Sequence, residues 1–565
     1  MKTIKEIMRH AITVLCYCLL VIGMASCSKM LDTESDLVEF PEDNTLDHPT
    51  DSVYSVMGII NNLQTIADRV VLLGELRGDL IVPTEAASAD LKNISAFNFT
   101  TSNKHNAVSD YYAVINNCNY YLQNVDKDLN RRGRYVFHAE YAAVKAFRAW
   151  TYLQLAQAYG SVPLVLRPLL TERESQEAMQ GRYYDITEIC NYFINDLTPY
   201  AYYELPQFGN LDGWNSKRFF YPMRVLLGDL CLWAGRYKEA AYWYHDYIND
   251  KDDPQPLYGS RVYWANATDY TRPVNGYEAT EIMSFIPMEN SSFDGVVSDL
   301  PNVFNSTLKN NYYFQVEIAD GLRQLSRSQD YCIENKTTTR TDTIYVPKTG
   351  FSENDMSGDL RMWACYRLVS VGKDEYSEYS TMRQTISKIY RGYVCTSRLP
   401  IIYLHYAEAL NRAGYPQSAF CVLKYGMCTE NIKAYVDTLE QRAAGDLITF
   451  NDTYFLKEQV LGIHSFGSGD SHANARYVVP MPADSLATRQ DTIDYQIPLV
   501  EDIIINELAL EGSFEGYRFN DLMRVAMRRG DNSYVADRIA RRNGTYDAAL
   551  RARLMERKNW FLPLP

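Results

Sequence analysis

The stretch Ala139–Val165, AEYAAVKAFRAWTYLQLAQAYGSVPLV, constrains the fold more than any other part of the chain. At helical spacing, Ala139, Ala142, Ala146, Ala149, Leu153 and Ala156 form one row. Tyr141, Val144, Arg148, Tyr152, Leu155 and Tyr159 form another. A helix apolar on two faces has to be covered on both, so this segment is predicted to be a central buried helix. The alanine row lets one neighbour approach closely, and the aromatic row supplies bulk for a second contact. Gly160 ends the helix, and Pro163 prevents it from resuming.

Two further stretches indicate how the helices are arranged. Leu227-Gly228-Asp229, Ala234-Gly235-Arg236-Tyr237-Lys238-Glu239-Ala240 and Tyr244 have the spacing of a tetratricopeptide unit. Gly228 lets the paired helices meet closely, Gly235 makes the turn, and Ala240 lies at the crossing. In Ile401–Leu423, Ala407, Gly414 and Ala419 keep the spacing of Gly228, Gly235 and Ala240. Units this far apart imply an array assembled from distant parts of the chain, with insertions between them. Helical periodicity also marks Val53–Arg69 (capped by Asp51), Asp110–Val125, Tyr184–Leu197 and Glu501–Leu522. Between the two units, residues 259–393 lose that periodicity. They are rich in Asn, Ser, Thr and Tyr, with strand-like runs at Glu281–Ile286 and Asp342–Val346. Insertions of this length on a rigid scaffold are where binding usually resides.

At the N-terminus Lys2, Lys5 and Arg9 precede the apolar run Ala11–Gly23, which is followed by Met24-Ala25-Ser26-Cys27. A basic start, a short apolar core and small residues before a cut make a secretory signal peptide, and the run is too short for a spanning helix. Cysteine at the cut resembles a bacterial lipoprotein box, which makes Cys27 the expected lipidated residue. The expected organisation is therefore a signal peptide at 1–26, an acidic surface tether at 27–50, and one body at 51–565. Within that body the helical scaffold comes from 51–258 and 394–430, the irregular insertion spans 259–393, and C-terminal helices and a tail occupy 431–565.

Charge and motif content exclude several function classes. The net charge of −14 argues against nucleic acid as a partner. Beyond Cys27, Cys118, Cys190, Cys231, Cys332, Cys365, Cys395, Cys421 and Cys428 are scattered without a CxxC pair, so they form neither a disulfide scaffold nor a zinc framework. The 8 His are dispersed, with no HExxH, and Gly467–Asp470 lacks a Walker lysine. No catalytic residue, metal or cofactor is expected. The 45 Tyr, against 7 Trp and 21 Phe, offer flat apolar faces with polar tips, suited to wet binding surfaces and to helix packing alike.

In order along the chain, several pieces resemble the SusD/RagB family. They are the Cys27 lipobox, DYYAVINNCNYYL at Asp110–Leu122, the Ala139–Val165 stretch, the unit at Leu227–Tyr244, LHYAEALNRAG at Leu404–Gly414, ELALEGSFEGYRFNDLMR at Glu507–Arg524, and the terminal FLPLP. The resemblance implies a mainly α-helical superhelix of tetratricopeptide-like pairs, with a loop-rich ligand-binding half carrying short strands. It also implies a non-catalytic lipoprotein of the outer membrane, facing the cell exterior, that captures nutrient and hands it to a SusC-like TonB-dependent transporter. A glycan is the expected ligand, with a peptide, or a purely protein-binding adaptor role, as the alternatives. The sequence departs from the family pattern at EGSFEGYR, where an unbroken EGxR is more usual. Glu507, Glu511 and Glu515 with Arg518 read as ion pairing between helices rather than as catalysis.

Candidate ligand contacts follow from residue type. Aromatic platforms suit the apolar faces of sugar rings, and amides, carboxylates or Arg suit their hydroxyls. Asn310-Asn311-Tyr312-Tyr313-Phe314 has that composition, with Phe293 and Phe304 nearby. Arg77 and Asp79 in the loop GELRGDL are either polar clamps or a buried ion pair. Trp214 and Trp264 are loop aromatics that either face ligand or pack.

Overall fold

The computed structural model describes residues 49–211, 213–258, 279–289, 295–304, 315–346, 359–361, 366–371, 381–386, 388, 392–483 and 488–564. Cys27, Trp264, Phe293, Tyr312 and Tyr313 lie outside the described residues. The principal helices are α1 (Pro49–Leu76), α2 (Ala89–Ser95), α3 (Val108–Asn124), α4 (His138–Tyr159), α5 (Ile186–Leu197), α6 (Met223–Ala234) and α7 (Tyr237–Ile248). After the irregular block come α8 (Leu399–Arg412), α9 (Pro416–Lys424), α10 (Arg489–Glu511), α11 (Arg518–Arg529), α12 (Ser533–Ala540) and α13 (Ala548–Leu554). The protein is mainly helical, as the periodicity predicts.

The two-faced stretch is α4. From Ala142 to Tyr159 every residue except Gln154 is buried, and α1, α3, α5 and α6 all pack against it. Two basic groups inside this apolar helix are neutralised by Asp196 of α5, with Lys145 Nζ at 2.6 Å and Arg148 Nη2 at 3.1 Å. Gly160 caps the helix at φ +80° and lies so close to Phe561 that a Cβ would meet its ring at 3.0 Å. The chain end packs here too: the Leu562 N–H donates to the Ala158 carbonyl at 3.0 Å, and Trp560 is fully buried.

The two spaced units form the helix pairs α6–α7 and α8–α9, and α7 packs directly on α8. Segments more than 150 residues apart therefore stack as neighbours, as in a tetratricopeptide array. A Cβ on Gly228 would lie 2.5 Å from the Tyr244 ring, which is why only glycine fits that crossing. The Tyr221 and Tyr244 hydroxyls donate to Asp229 at 2.7 and 2.6 Å, and His405 Nδ1 of α8 lies 3.1 Å from the same carboxylate.

Helix α1 runs seven residues past its expected end at Arg69 because Val71, Leu72, Leu73 and Leu76 are buried, with α11 packed alongside. Its Ser55–Leu76 segment is long and apolar enough to cross a membrane, but Val56, Ile59, Ile60, Leu63 and Ile66 are core residues of the folded body. The expected helix over Glu501–Leu522 is instead two helices, α10 and α11, broken at Gly512–Tyr517. Gly516 at φ +95° turns the chain there and presses on α1, where a Cβ on Gly74 would lie 1.8 Å from the Gly516 carbonyl oxygen.

The irregular block contributes short antiparallel pairs. These join β1 (Ile81–Pro83) with β3 (Val316–Ile318) and β2 (Ile282–Pro287) with β8 (Tyr393–Arg398). Two hairpins, β4 (Tyr331–Lys336) with β5 (Thr341–Val346) and β6 (Tyr366–Val371) with β7 (Thr381–Ile386), lie between them. Pairing of β2 with β8 brings the entry and exit of the block together, so an insertion of this length leaves the helical array uninterrupted.

Charge fastens the block to the scaffold. Arg361 holds Asp359 at 2.7 Å, Glu507 at 2.9 Å and Glu511 at 3.3 Å. Arg398 holds Glu511 at 2.5 Å, Glu515 at 2.8 Å and Glu281 at 3.4 Å. Lys388 reaches Glu515 at 2.5 Å, and His464 Nδ1 reaches Glu507 at 2.5 Å. The glutamate row thus engages in ion pairing, but its cations come from the block, from the end of β8 and from the loop at His464 rather than from another helix, and Arg518 binds Asp79 instead. Burial alone would raise the Glu507 carboxyl, but Arg361 and His464 outweigh it and hold the group at about 2. Behind the row, Glu75 accepts from the Gly516 N–H at 2.8 Å, and its other oxygen has no partner among the described residues. Burial raises its carboxyl to about 7 against the pull of the Gly516 and Phe514 N–H groups, Lys388 and Arg518.

Two outcomes follow for stability, both measured by urea unfolding. Gly74→Ala is expected to cost about 3 kcal/mol because backbone opposes the new methyl, whereas Gly58→Ala in the same helix, with nothing within 4 Å, gains about 0.5–1 kcal/mol. A carboxyl raised in the folded state stabilises below its unfolded value near 4.5 and loses that contribution as pH rises through about 7. Glu75→Gln is therefore expected to match the parent at pH 4.5 and exceed it at pH 8 by on the order of 3 kcal/mol.

Candidate functional site

A cleft of about 460 Å³ opens between the α2 segment and the α12–α13 connection. Its walls include Pro83 at the end of β1, Lys92, Ser95 and Asn98 on one side, and Arg542, Asn543, Thr545, Asp547 and Arg553 on the other. Each wall is set by local chemistry. Ser88 caps α2 by accepting from the Leu91 N–H at 3.4 Å, and Asp547 caps α13 by accepting from the Leu550 N–H at 2.9 Å. Between α12 and α13, Gly544 takes φ +75°, a left-handed conformation that glycine adopts without strain.

The turn after α2 is strained. Phe97 sits at φ +54°, which is costly for an aromatic residue. Its buried ring is held by Phe99 and Phe519, with centroids at 5.6 and 5.7 Å. This packing presents the neighbouring carbonyls to the cleft, where Arg553 Nη1 donates to the Ala96 carbonyl at 2.9 Å and also bonds Asn98 Oδ1. On the first wall Lys92 Nζ donates to the Glu85 carbonyl at 2.7 Å.

Arg542 forms the floor. Its Nη1 donates to the carbonyls of Leu76 at 3.2 Å and Gly78 at 3.0 Å, and its Nη2 donates to Ser95 O at 2.6 Å. Its Nε and the buried Ser95 hydroxyl have no partner among the described residues. Burial lowers the guanidinium to about 10, although Asp79 and Asp547 favour its charge.

A sequence profile of the SusD family matches residues 260–565, more than half of the chain. The chain belongs to the SusD family. Solved structures share its fold over most of the chain. One, described as a SusD-like carbohydrate binding protein from Bacteroides fragilis NCTC 9343, is 15% identical with a TM-score of 0.52, covering 87% of this chain and 88% of its own. A SusD superfamily protein from Bacteroides vulgatus ATCC 8482 is 13% identical with a TM-score of 0.54, covering 92% of this chain and 96% of its own. No curated protein matches the sequence. SusD family proteins bind without catalysing, and this chain is not an enzyme.

In this SusD-family chain the loop GELRGDL is buried and does not present exposed clamps; it meets the cleft through Arg542, which bonds the Leu76 and Gly78 carbonyls. Arg77 is buried, donating to the carbonyls of Leu73 at 2.9 Å and Trp560 at 3.0 Å, with its guanidinium 4.3 Å from the Phe519 ring centre. Asp79 is held by Arg518 at 2.5 and 2.9 Å, so the buried pair in this loop is with Arg518 and not with Arg77. Phe304 is 1% exposed and meets Phe514 edge-on, which places it in the core instead of on a sugar platform. Trp214 packs edge-on against Phe285 and Tyr393.

The cleft-lining residues escaped sequence reasoning because no motif marks them. One signal was available: residues 538–558 carry seven Arg or Lys against two acidic residues in a chain of net charge −14.

Arg542→Met would leave three carbonyls without their buried donor. The variant is expected to lose on the order of 3 kcal/mol in urea unfolding, with intrinsic tryptophan fluorescence as the readout.

Proposed function

We propose that this protein is a surface nutrient-binding lipoprotein that captures a glycan in the cleft between α2 and the α12–α13 connection and passes it to a SusC-like TonB-dependent transporter. Membership of the SusD family carries the proposal, and the description of a structural relative as carbohydrate-binding supports the glycan class. Cys27 is the lipid anchor to the outer membrane in this reading, and the body faces the cell exterior. The cleft suits capture of a sugar. Its volume lies in the range of small-molecule sites, and Ser95, Asn98, Asn543 and Thr545 supply the polar groups that sugar hydroxyls need. The aromatic segment containing Phe293, Tyr312, Tyr313 and Trp264 is proposed to add ring platforms.

The test is isothermal calorimetry of the detergent-solubilised lipoprotein against a panel of oligosaccharides and a mixed peptide pool. At least one oligosaccharide is expected to bind with a Kd in the micromolar to millimolar range. Binding to peptides alone would overturn the glycan assignment.

A further inference from the structure

The charged groups of the cleft do not balance. Its lining carries Lys92, Arg542 and Arg553 against the single carboxylate of Asp547. That carboxylate is already engaged, since Asp547 accepts from the Leu550 N–H at the start of α13, where negative charge is favoured. None of the three cations forms an ion pair among the described residues; their partners are the carbonyls of Glu85, Leu76, Gly78, Ser95, Ala96 and Phe97 and the Asn98 amide oxygen.

Carbonyl oxygens orient a cation without neutralising it. The contrast lies within the same molecule: buried Arg361, Arg398, Arg518 and Arg524 each hold at least one carboxylate at 2.9 Å or closer. Arg542, at 6% exposed, holds only carbonyls, as buried Arg77 does, but unlike Arg77 it lines the cleft and keeps Nε without a partner among the described residues. The Ser95 hydroxyl, 2% exposed and also without a partner there, lines the same cleft. A guanidinium matches a carboxylate with two parallel bonds, and such charge-assisted bonds are among the strongest available. The lining contains no aromatic ring, so among the described residues recognition rests on charge and hydrogen bonds rather than on stacking.

We propose, resting on the glycan reading of this cleft, that it selects acidic oligosaccharides, with a uronate carboxylate seated among Arg542, Arg553 and Lys92 and the sugar hydroxyls on Ser95, Asn98 and Thr545. Arg542 is the fixed member, held by three carbonyls from two segments. Lys92 and Arg553 are exposed and close on the ligand from opposite walls.

The experiment is calorimetry of the detergent-solubilised lipoprotein with oligogalacturonate, oligoalginate and hyaluronan oligosaccharides. Each is paired with its carboxyl-reduced neutral counterpart, and an Asp/Glu-rich peptide is included. At least one acidic oligosaccharide is expected to bind about tenfold or more tightly than its reduced form, and to weaken as salt rises from 50 to 500 mM. The double variant Lys92→Gln/Arg553→Gln leaves Arg542 and its carbonyls in place and should unfold at the parent's temperature while losing that preference. Equal binding of acidic and reduced forms, or an unchanged preference in the folded double variant, would overturn the charge assignment and leave glycan capture standing. Binding of the acidic peptide with no oligosaccharide of either kind would overturn both.

Discussion

Five carboxylates and three cations meet inside this protein where the end of α10 faces the irregular block. Asp359, Glu281, Glu507, Glu511 and Glu515 surround Arg361, Lys388 and Arg398, all nearly excluded from water. Charges taken out of water are tolerable only when paired, and removing one member of such a set costs about 3–5 kcal/mol. Here the pairing has a topological consequence. Glu507 and Glu511 are four residues apart, so they share one face of α10, and Glu515 continues the line into the turn beyond it. The cations come from three separate places in or at the end of the block. The insertion is thereby fastened to a rigid helix at several points, which short two-stranded pairs alone would not achieve.

The same place brings α1 against the α10–α11 turn. Gly74 and Gly516 are in backbone contact, and Glu75 bonds the Gly516 amide. The irregular EGSFEGYR sequence has its physical reason here. Gly512 through Tyr517 break the helix, Gly516 provides the close approach, and Arg518 leaves the glutamate row to bind Asp79 across the interface. A continuous helix would have kept Arg518 in line with the glutamates and left Asp79 buried without its cation.

Much of this scaffold was legible in the sequence, because helix periodicity and small-residue spacing report packing directly. The two-faced α4 and the paired units at Gly228 and Ala407 depend on side-chain size at fixed intervals, and both stand as read. The break at Gly512–Tyr517 was missed because local propensity competes there with a tertiary contact from α1, some 440 residues away. The candidate site was less legible still. Arg77 and Asp79 drew attention as charged residues in a glycine-bearing loop, but their charges serve the core. The cleft residues come from two segments more than 440 residues apart, and their shared property, cations facing carbonyls, exists only once the chain is folded. Only the run of basic residues at 538–558 left a trace in composition.

The scaffold and the cleft meet in residues 74–80. On one side of this loop Arg518 binds the Asp79 carboxylate; on the other Arg542 binds the carbonyls of Leu76 and Gly78. Two arginines from the C-terminal helical segment thus clamp one loop, the first neutralised and the second not. The ion-paired arginine fixes the backbone, and that backbone fixes the unpaired arginine with its charge still available. A binding cation held in this way loses little conformational freedom when a ligand arrives, so less of the interaction is spent on ordering the site. The buried pair needed for folding therefore also pre-organises the group that faces the cleft, through a loop that is itself buried.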